Sequence, residues 1–229
     1  MSETKNWGEY NVDICLCIDK TGSMSPIINT VKENALRLHE DITAAMAEKN
    51  KHIHRLRVRV IWFGDYLSDG SEAMLGSDFL VLPEEMNVFK DCVDCIDAYG
   101  GGDAPEDGLE ALAFAMRSPW CQDGWKRRHI VCVFTDAPAH NIGYSSNASN
   151  YPHAMPASYE ELMLRWGFEG VPGDMENAAK RLLLFAPDVS YWHRICREWE
   201  NSILTKVNPD GGLSEISYRN MLDTITNSI

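Results

Sequence analysis

The chain has 229 residues, 45% hydrophobic and 24% charged, which suits a globular protein with a sizeable core and excludes a disordered one. Its net charge of −13, from 34 acidic against 21 basic residues, repels phosphate backbones and argues against nucleic acid as a partner. No apolar run approaches the roughly 18–20 residues that cross a bilayer, and the polar start MSETKNWGEY lacks an apolar signal region.

Residues 12–18 (VDICLCI) are almost wholly apolar, as expected of a strand covered on both faces. Ser25 and Pro26 read as an N-cap and first helical residue. Apolar residues at helical spacing then predict one helix over 27–48. Residues 56–63 (LRVRVIWF) form a second predicted strand and 78–82 a short third. The pattern predicts a helix over 84–98, ending at Gly100 to Gly102, and another over 105–116. A fourth strand is expected at 129–135 (HIVCVFT), followed by an irregular loop over 138–157. Helix 159–166, strand 181–185, helix 191–200, strand 203–207 and helix 218–226 complete the pattern. Alternating strands and helices imply one doubly wound α/β domain over residues 1–229, with a mostly parallel six-stranded sheet and helices on both faces. The connection over 138–175 is long for a compact domain and marks a lid or binding insertion. The seven cysteines read as reduced thiols of a cytoplasmic protein.

Asp19, Thr21 and Ser23 alternate directly behind the first strand in "CIDKTGSMSP". They either shape a strand-to-helix turn or face something that wants oxygen ligands. In open α/β sheets ligands sit beyond the carboxyl ends of the strands, where strand order reverses. The fourth strand delivers Thr135 and Asp136 in "FTDAPAH" to that edge, and "YGGGDAPEDG" delivers Asp103, Glu106 and Asp107. If the first and fourth strands are neighbours, these loops converge. Two or three carboxylates and two hydroxyls then suit a hard divalent cation, Mg²⁺ or Mn²⁺.

D-x-T-x-S after the first strand, a Gly-rich middle loop and T-D after the fourth resemble a von Willebrand factor A domain with its metal-ion-dependent adhesion site. "CIDKTGSM" and "FTDAPAH" look especially like the intracellular bacterial and protist branch, which includes the domain attached to some α-kinases. The resemblance runs from about residue 11 to the end. It implies direct coordination by Thr21 and Ser23, with Asp19 and Asp136 holding the ion directly or through water. The family's middle loop usually offers a threonine where this chain has Asp103. A carboxylate there adds metal retention and weakens the ion's pull on a partner carboxylate. The family's intracellular members serve as assembly platforms, often beside AAA-type ATPases or kinases. The resemblance therefore implies a non-enzymatic, Mg²⁺-dependent module that binds a partner's Asp or Glu.

Other readings stand beside these. Asp103 with Glu106 and Pro105 also fits a helix cap, and Glu106 and Asp107 fit first-turn acids favoured by the helix dipole. Asp65 is a rim residue, and His140 a packed or solvated one. His52 and His54 lack a third ligand, and Cys92 with Cys95 form one CxxC without a second pair. Trp62, Trp166, Trp192 and Trp199 mostly suit core or helix-packing positions, and Trp166 and Phe168, in the long insertion, are the aromatics to watch for a partner contact. The alternative function is a metal-dependent hydrolase or phosphotransferase using Asp19 and Asp136. "DKTGS" superficially resembles the aspartyl-nucleophile loop of haloacid-dehalogenase-like phosphatases, but Thr21 stands where those enzymes keep an acid–base Asp. A third reading is a degenerate fold with an empty site.

Overall fold

In the computed structural model, which describes residues 9–99, 104–207 and 216–229, strand β1 (Glu9–Asp19) is buried from Tyr10 onward. Both its faces are covered. Val12, Ile14, Leu16 and Ile18 enter one core, and Cys15 and Cys17 the other. On one side β1 pairs in parallel with β2 (His52–Phe63), on the other with β5 (Lys126–Phe134). Beyond β5 lie β6 (Lys180–Ala186) and β7 (Ser202–Lys206), both parallel. Two short strands, β3 (Met74–Gly76) and β4 (Leu80–Leu82), pair antiparallel with β2. The order β3-β2-β1-β5-β6-β7 reverses direction at β1, so β1 and β5 flank the switch point.

The sheet therefore has seven strands rather than the six expected. The addition, β3, is three residues inside a Gly/Ser/Asp-rich connection, too short to show a period. Helices α1 (Ser25–Asn34), α2 (Leu38–Glu48), α3 (Met86–Asp94) and α7 (Tyr218–Ser228) cover one face. Helices α4 (Gly108–Met116), α5 (Tyr159–Trp166) and α6 (Ser190–Glu198) cover the other. Gly108 admits α6 closely: a Cβ there would lie 2.7 Å from Cζ2 of buried Trp192.

The single helix expected over 27–48 is interrupted by a 3-10 turn at Ala35–Arg37. The Asn34 side-chain amide donates to the Thr30 carbonyl at 2.7 Å, competing with the helical ladder for that acceptor. Ser25 is not an N-cap, because a 3-10 turn, Gly22–Met24, runs straight into α1; its hydroxyl donates to the Gly22 carbonyl at 2.8 Å.

The 138–175 segment contains α5 and is tied to the body. Trp166 takes the core position its type suits: it is 1% exposed, stacks on Trp199 at 5.4 Å and donates to the Glu200 carbonyl at 2.9 Å. Phe168 remains exposed. All seven cysteines are free thiols, and no helix among the described residues is long and apolar enough to cross a membrane.

Candidate functional site

Asp19 is the last residue of β1 and is fully buried. The chain then turns sharply. The Lys20 amide donates to the Phe63 carbonyl at 2.8 Å, which holds the turn against the end of β2. Thr21 is extended, and the 3-10 turn that follows is anchored by wholly buried Met24. The Thr21 amide donates to Asp19 Oδ1 at 2.9 Å, a side-chain turn of the kind Asp favours. Thr135, at the end of β5, donates its hydroxyl to Asp19 Oδ2 at 2.7 Å. One carboxylate thus joins the ends of two neighbouring strands. The Thr21 and Ser23 hydroxyls lie 3.5 Å apart, Thr21 6% exposed and Ser23 open to solvent.

Asp136 follows Thr135 and is half-buried. Its charge is close enough to affect Asp19. Burial chiefly, and then Asp136, push the Asp19 carboxyl up to about 6, against the hydrogen bonds from Thr21 and Thr135. The turn carrying Asp136 is fixed by the Ala137 amide donating to Thr135 Oγ1 at 3.1 Å. The Trp192 indole donates to the Ala137 carbonyl at 3.0 Å. Asp19, Thr21, Ser23 and Asp136 therefore share the switch-point edge.

Asp103 lies outside the described residues. Its proposed role as helix cap does not agree with α4, which begins at Gly108 with Asp107 at the N-cap position. Glu106 is consequently not in the first helical turn. It forms a parallel bridge with Ala139: its amide donates to the Pro138 carbonyl at 3.0 Å, and the His140 amide donates to its carbonyl at 2.9 Å. The Glu106 side chain is 3% exposed, and its Oε2 has no hydrogen-bond partner among the described residues. Burial first, then the charges of Asp19, Asp65, Asp69 and Asp107, raise it to about 9. Asp107 is not a helix cap by side chain; it accepts from the Tyr66 amide at 2.8 Å and the Ser145 hydroxyl at 3.0 Å. Burial raises it above the usual carboxylate range.

The rim residues also meet. His140 Nε2 lies 3.3 Å from Asp65 Oδ2, and its ring stacks on Tyr144 at 4.0 Å. Behind them Glu110, raised to about 7 mainly by burial, accepts from the Gly143 amide at 2.8 Å and the Tyr151 hydroxyl at 2.9 Å. The start of the long connection is thus held by carboxylates of the α4 region.

Sequence reasoning brings Thr135 to this edge without naming it a ligand, and sets Glu106 aside as a helix acid. The T-D pair ending a buried strand marks Thr135, and Glu106 had no comparable signal. Chemically, the edge gathers mostly oxygen donors, with His140 at its rim, an excess of negative charge and two buried carboxylate oxygens, Glu106 Oε2 and Glu110 Oε2, without partners among the described residues. That chemistry fits a hard cation. Among the described residues no group of three or more His, Cys, Asp or Glu side chains is arranged to hold a metal; the hydroxyls of Thr21 and Ser23 would have to complete the set.

No family model matches the chain. The alpha-protein kinase vwkA of Dictyostelium discoideum is 27% identical over 154 residues, which is 63% of this chain and 21% of the kinase. The chain thus spans about a fifth of that relative's length. Two crystal structures of the pilus adhesin SpaC from Lactobacillus rhamnosus GG, one in an open conformation, align with 95% of this chain and 30% of theirs. Their TM-scores are 0.52 and 0.51, at 11% and 12% identity. At that identity the likeness is one of fold: the chain is an α/β domain of mostly parallel strands with helices on both faces.

Proposed function

We propose that this chain is a von Willebrand factor A-like interaction module whose switch-point edge holds Mg²⁺, with Mn²⁺ as a substitute, and binds an acidic side chain of a partner protein. The observation that carries this reading is Asp19. It is wholly buried and meets no cation among the described residues, yet it lies beside the Thr21 hydroxyl, which in turn stands 3.5 Å from the solvent-exposed Ser23 hydroxyl. Burying an uncompensated carboxylate is costly, and a bound cation offsets that cost. Thr21, Ser23, Asp19 and Asp136 would hold the ion, with Glu106 contributing through its unpartnered oxygen and Asp103 from the middle loop. The metal would supply a positive centre with an exchangeable position. The residues themselves do the rest: Thr135 and the Thr21 amide aim Asp19, and the Glu106–Ala139 bridge keeps the middle loop against the Asp136 turn.

The alignment with part of an alpha-protein kinase supports a kinase system as the setting, and the family resemblance adds an AAA-type ATPase and a cytoplasmic location to the proposal. The partner would offer an Asp or Glu and would be neither nucleic acid nor membrane. The reading requires no catalytic step. Its test is thermal unfolding with and without millimolar Mg²⁺. A ligand specific to the native state adds about 2.7 kcal/mol at a hundredfold excess over Kd, so a clear rise in Tm is expected, lost in Asp19→Ala. No rise would point to a degenerate site. Phosphatase turnover that requires Mg²⁺ and Asp19 would replace this reading with the hydrolase.

A further inference from the structure

At the opposite edge of the sheet, about 26 Å along β5 from the candidate site at 3.3 Å per residue, the charge is reversed. Residues 125–128, entering β5, and Glu176, Ala178 and Ala179, before β6, line an open pocket of about 110 Å³. Arg127 is engaged: it donates twice to Glu176, at 2.8 Å each. The other cations meet no Asp or Glu among the described residues. Lys126 and Arg128 lie 5.0 and 5.6 Å from the ring of Tyr10, and Lys51 lies 5.6 Å from the same ring. Arg181 stands close enough to Arg128 that the two charges repel, which together with burial lowers the Arg181 pKa. None of Lys51, Lys126, Arg128 and Arg181 forms an ion pair among the described residues.

The two guanidiniums are held in place by backbone. Arg128 donates to the carbonyls of Ile229 at 3.0 Å and Arg127 at 2.8 Å. Arg181 donates to those of Lys180 at 2.6 Å and Ala178 at 3.3 Å. Each keeps N–H donors without a hydrogen-bond partner among the described residues, on strand backbone. In a chain of net charge −13, four cations at one edge with no Asp or Glu partner among the described residues are the exception.

We propose that this pocket is an anion-binding site for a phosphate monoester, lined by Lys126 and Arg128 and flanked by Arg181 beside Arg128. Guanidinium forks match phosphoryl oxygens, and an anion between them relieves the Arg128–Arg181 repulsion. The pocket admits one such group and not a strand of them, and the acidic remainder of the surface repels extended polyanions. The site is independent of the metal-dependent reading.

The experiment uses the full chain, with inorganic phosphate as probe, against potassium chloride at matched ionic strength. Phosphate is expected to raise Tm beyond the chloride control. K126A/R181Q should bind phosphate at least tenfold more weakly while keeping the wild-type response to Mg²⁺; Lys126→Gln alone serves if the double variant does not fold. A phosphoserine peptide binding tenfold tighter than phosphate identifies a modified protein segment as the source, and equal affinity a free small phosphate. No shift beyond chloride, or a variant that binds as the wild type does, overturns the proposal.

Discussion

Strand β1 buries a carboxylate near each end, and the two are treated in opposite ways. Asp13, 1% exposed, receives Arg57 in a bidentate pair at 2.8 and 2.6 Å and the Cys121 amide at 2.6 Å. Asp19, 0% exposed, receives one amide and one hydroxyl but no cation among the described residues, with Asp136 as a neighbouring like charge. Burial is therefore not what separates a structural carboxylate from a functional one. The difference is whether the fold supplies the counter-charge. At the amino end it does, with an arginine from the next strand. At the carboxyl end the demand for positive charge is left for something outside the chain.

The strongest way to break this contrast is Asp13→Ala. Arg57, half-buried, would lose its partner and the Cys121 amide its acceptor, which costs about 3 kcal/mol, the lower end for a buried pair. Denaturant unfolding should show a loss of about that size, with the Mg²⁺-induced shift in Tm intact; a loss below about 1 kcal/mol would erase the distinction.

Asp19→Asn should act in the opposite direction. The folded carboxyl titrates at about 6, against 3.8 for an ordinary aspartate. Between those values the native protein keeps a proton that the unfolded chain has released. Stability from this group is thus greatest below pH 4 and is lost as pH rises through 6. The gap between the two values corresponds to about 3 kcal/mol above pH 7. In metal-free buffer the variant should gain up to that amount at pH 7.5 and little at pH 4, and should no longer respond to Mg²⁺. A variant less stable than wild type at both pH values would refute the electrostatic account of Asp19.

Ser23→Ala gives the smallest stability effect. The residue is exposed, and such substitutions stay within about 0.5 kcal/mol. Calorimetry should nevertheless show Mg²⁺ affinity reduced by about tenfold, a separation of binding from stability that a turn-forming serine would not produce.

The parts of this molecule that were legible in the sequence are those set by local pattern. The apolar runs of β1 and β5 announce strands buried on both faces, and D-x-T-x-S and T-D directly behind them locate the edge. What escaped depends on long-range contacts. Moving the start of α4 from residue 105 to Gly108 converts Glu106 from a helix acid into a bridge residue with a buried side chain. The break after Asn34 turns on one amide, and β3 is shorter than any recognisable alternation. Trp166 suits a core position by type, but its place in a long connection leaves a partner contact open; what decides is packing against Trp199, 33 positions away.

The Glu106–Ala139 bridge has a mechanical meaning. It splices the middle loop to the turn carrying Asp136, and the same turn hangs from the α6 indole of Trp192. A pull on either loop is therefore shared by both and passed into the helix layer beneath, so a load applied at the crest is borne by the whole domain and not by a single hinge.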